Sequence, residues 1–306
     1  MSFSKLSLIT VLGLIGMMNL YGQQRVDTLY NPDIINRAYK KGEGTVIHID
    51  RGHRNFHTRR NRFRPFAKVL LKDGYQVVDY NDYFDKEKLK EVKILVISNA
   101  LHQHARTPFT TPTMSAFTNS EIAHIKKWVK NGGSLFLIAD HMPFAGASSG
   151  LAKAFGFKFY DSFVFDAENR GIFDFTIKNK MLSKTTITQG RNNKEKILQI
   201  RTFTGQGFKI PKRATSILNL MAHHTLFTPD TMWVFNNKTS KFSANKLSQG
   251  ANMTFGKGRV VVFGEAAMFT GQLAGPNRIK VGMNSLEAGE NYKLLLNIIH
   301  WLDRLY

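Results

Sequence analysis

The sequence predicts an α/β fold in which a largely parallel sheet is covered by helices on both faces. Short apolar runs of strand length, rich in β-branched residues, Leu and Phe, alternate along the chain with stretches of helical periodicity. Strands that are buried on both faces have continuous apolar runs, and strand–helix alternation is typical of parallel sheets. The chain shows no repeat of fixed period and no low-complexity linker, so we expect a single domain.

The first 22 residues have the pattern of a signal peptide. Lys5 precedes an apolar run over residues 6–20, and the small residue Gly22 lies before a polar pair. A membrane anchor is the alternative, but polar residues and glycines interrupt the run, and a spanning helix needs roughly 20 apolar residues. We therefore expect residues 1–22 to direct export to the periplasm or the extracellular space. Residues 23–306 are expected to form the α/β domain, and no later segment is apolar for long enough to span a bilayer.

The N-terminal half contains four predicted strands and two predicted helices. The strands are Thr45–Asp50, Tyr75–Tyr80, Lys93–Asn99 and Ser134–Asp140. A helical pattern over Arg62–Lys72 stops at Asp73-Gly74. The second helix follows the capping-box spacing Thr118-Asn-Ser-Glu121 and ends at Asn131-Gly-Gly133.

Region 157–250 is less regular, and we predict a β-rich extension of the sheet there. Short strands are predicted at Phe163–Phe165, Phe173–Ile177, Ile197–Phe203, Ser216–Leu220 and Met232–Phe235. The polar segment Asn236–Gly250 predicts a loop. Regular structure returns with a strand over Gly258–Glu265 and a closing helix over Asn291–Leu302.

The composition excludes some chemistries and favours anionic partners. The chain contains no cysteine, which excludes disulfides, thiolate metal ligands and a cysteine nucleophile. A formal net charge of +21 favours acidic glycans or phosphate and sulfate esters, although a solvated basic surface also explains it. Because export is expected, we do not expect a nucleic-acid partner. The expected ligand is a small molecule or glycan that is anionic or polyhydroxylated.

Acids and imidazoles collect where the predicted strands end. In open α/β sheets, ligands bind outside the carboxyl ends of the strands. We therefore predict that residues following three different strands form one catalytic site: Asp50, His53, His57, Asp140, His141 and Glu265. Paired carboxylates in such a place can perform acid/base chemistry, because neighbouring acids push their pKa values apart. The structural alternative is that these side chains cap turns and helices.

Two of the histidines have a spacing that suits a metal ion. If their loop is helical, His53 and His57 share one face, and His141 is a third possible ligand for a divalent ion such as Zn²⁺. The zinc-protease helix has Glu after its first His, whereas this chain has Arg54, so that reaction is not supported. A hydrogen-bonded structural cluster remains the alternative.

Amides and arginines near the same strand ends are candidate substrate ligands. They are Asn55, Asn99, Gln206, Gln272, Asn284, Arg51 and Arg54. The last two belong to the arginine-rich segment 51–64, and guanidinium groups bind phosphate, sulfate or carboxylate as forks. Loop geometry and a solvated helix start explain these residues equally well.

Seven segments taken together carry a family resemblance. They are Asp50–Thr58, Asn99-Ala100, Ala139–Gly146, Thr202–Gln206, Phe263–Phe269, Gly282–Asn284 and Asn291–Leu302, of which the Asp-His-Met-Pro-Phe block is the most specific. The set resembles an exported bacterial family of unknown function within the class I glutamine amidotransferase-like superfamily, with distant relatives among trehalose-utilisation-type proteins. The resemblance implies a flavodoxin-like, three-layer sandwich with a β-rich insertion, but no established reaction. Thioester glutaminase chemistry is excluded, since the chain has no cysteine.

These observations leave two classes of function open. The leading hypothesis is a hydrolase-like enzyme that activates water either through a bound metal or directly through a histidine–carboxylate pair. The rival is a noncatalytic module that binds a ligand or glycan on a degenerate amidotransferase-like fold, or a structural protein of the envelope. Fold alone does not decide between them.

Overall fold

A computed structural model of the protein describes residues 24–167 and 170–306. The predicted signal peptide lies outside the described residues. The strands are β1 (Arg25–Val26), β2 (Val46–Asp50), β3 (Gln76–Tyr80), β4 (Ile94–Ser98), β5 (Ser134–Ile138), β6 (Phe163–Phe165), β7 (Ile172–Thr176), β8 (Gln199–Phe203), β9 (Thr215–Asn219), β10 (Thr225–Thr228), β11 (Ser240–Ser243), β12 (Ser248–Phe255), β13 (Gly258–Phe263), β14 (Gly271–Ala274) and β15 (Ile279–Gly282). The α-helices are α1 (Arg64–Lys72), α2 (Asn119–Lys130), α3 (Phe144–Ala154), α4 (Thr186–Gln189) and α5 (Asn291–Leu302). Short 3₁₀ helices cover Lys88–Glu91, Ala267–Phe269 and Leu286–Ala288.

The central sheet of the described residues has seven strands in the order β3-β2-β4-β5-β13-β12-β9. The first five are parallel to one another, and the last two are antiparallel to their neighbours. Numbered along the chain, the parallel strands have the order 2-1-3-4-5, which is that of flavodoxin-like doubly wound sheets. The predicted α/β class with a mostly parallel sheet is therefore confirmed. Within the described ranges, no helix combines the length and apolarity needed to cross a bilayer.

Two apolar cores cover the two faces of this sheet. Along β4, Ile94 and Val96 point into one core, and Leu95 and Ile97 point into the other. Helices α1 and α5 pack into the first core, and α2 and α3 pack into the second. This alternation explains why the central strands are continuously apolar, because successive side chains of a strand face opposite sides.

Two predictions in the β-rich region are wrong. Met232–Phe235 is not a strand: Met232 and Trp233 form a turn, in which Trp233 has a left-handed φ of 64°, and the next two residues are irregular. The predicted loop Asn236–Gly250 contains β11 and the start of β12. Polarity is misleading there, since Gln249 is buried and donates a hydrogen bond to the main chain.

The capping box predicted for the second helix is confirmed at the start of α2. The Glu121 N–H donates to Thr118 Oγ1 at 3.2 Å, and the Thr118 N–H donates to the Glu121 carboxylate at 2.9 Å. Two main-chain donors that have no helical partner are thereby satisfied.

We expect the substitution Thr118→Ala to lower the free energy of unfolding by about 1 kcal/mol, the usual contribution of such a cap. Urea denaturation of the purified protein measures this loss. Ser120→Ala, at an exposed position in the same turn, is the matched control and should change stability by less than about 0.5 kcal/mol. Equal losses in both variants would contradict a specific contribution of the cap.

Candidate functional site

Two buried acids lie side by side at the carboxyl edge of the sheet. The parallel strands β5 and β13 pair with Ile138 opposite Phe263, and Asp140 and Glu265 each follow two residues later. Neighbouring strands are about 4.8 Å apart, so this register brings the two acids together. Asp140 is 7% exposed and Glu265 is 0% exposed. Burial, reinforced by the charge of Asp140, raises the pKa of Glu265 well above its usual value.

Glu265 also organises the turn that follows its strand. Its carboxylate accepts hydrogen bonds from the N–H groups of Ala267 and Met268 at 2.7 and 2.8 Å. Gly205, with φ of 111°, lies against it, and a Cβ at this glycine would be 2.3 Å from the Gly264 carbonyl oxygen. A glycine is therefore required for the chain after β8 to approach the acid pair.

His141 follows Asp140 and has one ring nitrogen available. Its Nδ1–H donates to the Met142 carbonyl at 2.6 Å, so the lone pair of the neutral ring is on Nε2. Nε2 lies 4.0 Å from Asp140 Oδ1. The imidazole stacks on Phe163 with 4.5 Å between ring centroids, and the centroid of the Trp233 ring lies 4.8 Å away. A potential base is thus held beside a carboxylate by an aromatic wall.

His57 is a second buried imidazole near the same place. It stacks on Phe63 with 4.9 Å between ring centroids, and its Nδ1 lies 3.2 Å from Ser98 Oγ. Burial lowers the pKa of His57 to about 3, helped by the nearby charges of Arg62 and His141. The ring is therefore neutral at physiological pH.

Asn99 connects these groups at the end of β4. It has a left-handed φ of 47° and is 1% exposed. Its Oδ1 accepts the Asp140 N–H at 2.9 Å, and its carbonyl accepts the Phe56 N–H at 2.9 Å. Its Nδ2 is buried without a hydrogen-bond partner in the described residues. Asn99 thus orients Asp140 and keeps one donor free.

Asp50 and His53 form a buried ionic cluster whose polar atoms already make hydrogen bonds within the protein. The Nδ1–H of His53 donates to Asp50 at 3.0 Å, and its Nε2–H donates to Glu121 at 2.8 Å. Asp50 also accepts hydrogen bonds from Gly52 N and Asn55 Nδ2. Burial alone would lower the pKa of His53, but hydrogen bonds and charges from Asp50 and Glu121 raise it. This geometry favours a structural role for Asp50 and His53.

Gln206 and Asn55, which were predicted to bind substrate, use their side-chain amides in hydrogen bonds within the protein. Gln206 donates to the Ala139 carbonyl at 2.9 Å and accepts from the Tyr160 N–H at 3.2 Å. Asn55 donates to Asp50 and to the Ser98 carbonyl, and it accepts from the His53 N–H. Both amides therefore position the main chain around the site.

The two predicted arginine ligands are exposed and have other partners. Nη1 of Arg51 lies 4.0 Å from a carboxylate oxygen of Asp79. Arg54 donates to the carbonyls of Gln103 and Ala105 at 3.0 and 2.7 Å, and so holds the loop after β4.

Gln272 and Asn284 lie together on the small sheet of β1, β14 and β15. Asn284 donates to Asp27 at 2.9 Å and to the Gln272 carbonyl at 3.0 Å. Their side-chain oxygens are buried and have no hydrogen-bond partner in the described residues. No hydrogen bond within residues 24–167 and 170–306 joins them to Asp140 or His141.

The three histidines predicted to bind a metal are not gathered as a ligand set. Both ring nitrogens of His53 bind carboxylates, whereas Nδ1 of His57 lies beside Ser98 Oγ and Nδ1 of His141 binds the Met142 carbonyl. Across the described ranges, the groups of three potential ligands within 4.8 Å of one another do not include them. The metal site at the strand ends stays a prediction that this geometry does not favour.

The group that does meet this distance is Asp166, His223 and His224. It lines a cavity of about 560 Å³ in the β-rich region. The pKa of His224 is lowered to about 4 by burial and by His223. However, Nδ1 of His224 accepts the Met221 N–H at 3.0 Å, so the proton of the neutral ring is on Nε2. This tautomer leaves His224 without a free lone pair for a metal.

Sequence reasoning missed several residues that complete the site. Ser98 lies beside His57 and Glu121 binds His53. The rings of Phe163 and Trp233 pack against His141. The capping spacing of Glu121 was visible, but no local signal indicates a partner 68 residues away.

Comparisons with known proteins show similarity of fold only. No protein-family profile matches the chain, and no curated protein matches it significantly. The mmIFT52 N-terminal domain has 16% identity and a TM-score of 0.56, covering 84% of this chain and 97% of that one. A ThuA-like protein from Bacteroides uniformis has 12% identity and a TM-score of 0.42, covering 89% of this chain and 95% of that one. Cytoplasmic protein STM3548 from Salmonella typhimurium has 12% identity and a TM-score of 0.46, covering 84% of this chain and 98% of that one.

Proposed function

We propose that this protein is a hydrolase-like enzyme that activates water with Asp140, His141 and Glu265. The observation that carries the proposal is the pair of buried acids placed side by side by β5 and β13, with an imidazole next to them. Titratable groups whose environments separate their pKa values are typical of acid and base partners in catalysis.

We assign the roles from the hydrogen bonds and the burial of each group. His141 offers the Nε2 lone pair as the base that removes a proton from water, and the Asp140 carboxylate stabilises the imidazolium that forms. Burial and the charge of Asp140 raise the pKa of Glu265, which favours its protonated form, so we assign to Glu265 the proton that passes to a leaving group. We therefore propose direct acid/base activation rather than a metal-activated water.

The half-buried aromatic rings beside His141 support a small molecule or glycan as the ligand. The Trp233 ring lies 4.8 Å from that of His141 between centroids, and the Phe235 ring lies 5.3 Å from that of the buried Phe163. Aromatic faces provide large rigid contact areas for ligands, while polar groups fix orientation.

A screen with matched histidine variants tests this function. The full chain is assayed on p-nitrophenyl esters, phosphates, sulfates and glycosides. For any substrate turned over, His141→Ala should reduce kcat/KM by about 10²–10⁴-fold, as expected for loss of a general base. His104→Ala, at an exposed histidine, should leave it unchanged. Equal rates in the two variants would refute the role of His141.

A noncatalytic binding module is the second candidate. It is favoured by the internal hydrogen bonds of Asp50, His53 and Asn55, and by the two N–H groups that occupy Glu265. Ligand binding that survives His141→Ala, with no turnover by the wild type, would support this candidate over the enzyme.

Two further features complete the proposal. We infer that residues 1–22 direct export of the protein to the periplasm or beyond. We also infer that the central sheet and its helices form a three-layer, amidotransferase-like sandwich, and that region 157–250 extends it with the edge strand β9 and with smaller sheets. The strand order and the two cores support this architecture.

A further inference from the structure

The arginine-rich segment after β2 contains one half-buried guanidinium that has no acidic partner in the described residues. Arg59 and Arg60 donate from Nε to the Asp79 carboxylate at 3.1 and 2.8 Å. Arg54 is held by main-chain carbonyls. Arg54, Arg62 and Arg64 form no ion pair within the described parts of the chain, and of these three only Arg62 is half-buried rather than exposed.

The environment of Arg62 is half-buried and aromatic. Its guanidinium carbon lies 3.9 Å from the centroid of the Phe56 ring, and its Nε is buried without a hydrogen-bond partner in the described residues. Burial lowers the pKa of Arg62. The cation has lost part of its hydration and has gained a ring face but no carboxylate, which leaves a cost that a bound anion would offset.

Arg62 borders the proposed site. Between ring centroids, Phe56 lies 5.3 Å from His57 and 5.4 Å from Phe144, and Phe144 lies 6.1 Å from His141. The charges of Arg62 and His141 both lower the pKa of His57. One continuous set of contacts therefore joins the guanidinium to the base.

Asn99 supplies a second unused donor near this segment. Its carbonyl holds the Phe56 N–H, and its buried Nδ2 has no partner in the described residues. A buried amide donor that is left unpaired is unfavourable, so a ligand oxygen at this place is favoured.

We propose that Arg62 and Asn99 Nδ2 bind an oxyanion of the ligand, which makes the substrate class a molecule carrying a carboxylate, phosphate or sulfate group. The inference rests on the proposed location of the site but not on turnover. The Asp140 carboxylate repels an anion at its own side of the cleft, so the charged group lies towards Arg62. The bond acted upon then lies towards Asp140 and His141.

Isothermal titration of inorganic sulfate and phosphate into the full chain, at constant ionic strength, tests this assignment. Arg62→Gln should weaken binding by at least about tenfold, the loss expected for a charge-assisted hydrogen bond. Arg64→Gln removes the same charge from an exposed position two residues away and should weaken binding by less than about twofold. Circular dichroism verifies that both variants are folded.

Equal weakening in the two glutamine variants, or no saturable binding to the wild type, would overturn the assignment. If Arg62→Gln does not fold, the comparison uses Arg62→Lys and Arg64→Lys, which keep the charge. The first should still bind more weakly because lysine lacks the guanidinium fork, and equal affinities would overturn the assignment. His141→Ala should still bind sulfate and phosphate. Failure of the proposed catalysis would therefore leave this binding intact, whereas failure of the oxyanion site would abolish it.

Discussion

Replacing His53 by alanine should destabilise the protein by about 3–5 kcal/mol, the usual result of removing one partner from a buried ion pair. In the native protein the ring is 4% exposed and lies between Asp50 and Glu121. Its loss would leave two buried carboxylates without their cation. Urea denaturation at neutral pH measures the effect.

The pH dependence gives an independent check. Because the folded-state pKa of His53 is raised, its stabilisation is complete below its unfolded value of about 6.5 and is lost as pH rises through the folded value. As the pH rises through the folded pKa of His53, the free energy of unfolding of the wild type should therefore decrease relative to that of His53→Ala. A variant that loses less than about 1 kcal/mol would contradict the buried ion pair.

A double-mutant cycle isolates the contact. Glu121→Gln removes one of the two negative charges, so it should reduce the penalty of His53→Ala by at least about 1 kcal/mol. His102→Ala, outside this cluster, provides the control for loss of a histidine elsewhere. Strictly additive losses in the cycle would show that His53 and Glu121 do not interact.

Asp140→Asn should reduce kcat/KM by about 10²–10⁴-fold on any substrate that the enzyme turns over. Asparagine retains the Oδ1 acceptor for the His141 N–H, so the turn is preserved while the charge is removed. The imidazolium formed in the reaction would then lack its counter-charge. Steady-state kinetics measure the loss.

The same substitution should lower the pKa of Glu265, because the charge of Asp140 is one of the causes that raise it. Infrared titration of the protonated carboxyl band follows this change without any substrate. Asp82→Asn, at an exposed acid, is the control and should alter neither readout. An unchanged Glu265 titration in Asp140→Asn would contradict the coupling of the two acids.

Local patterns in the sequence were sufficient to predict the mostly parallel sheet and the neighbouring positions of Asp140 and Glu265. The continuous apolar runs predict the parallel strands, and the capping box predicts the start of α2, because both depend on neighbours within a few residues. Asp140 and Glu265 were also predictable, since parallel strands in register bring the residues after their ends together.

Only the tertiary structure decided which of these polar groups are still available. His53 binds Glu121 from a distant helix, whereas Arg62 has no ion pair among the residues that the structure describes. The physical reason is that availability depends on the partners brought by other elements. A linear pattern shows that a side chain is polar, but hydrogen-bond satisfaction and burial are set by contacts between residues far apart in the chain.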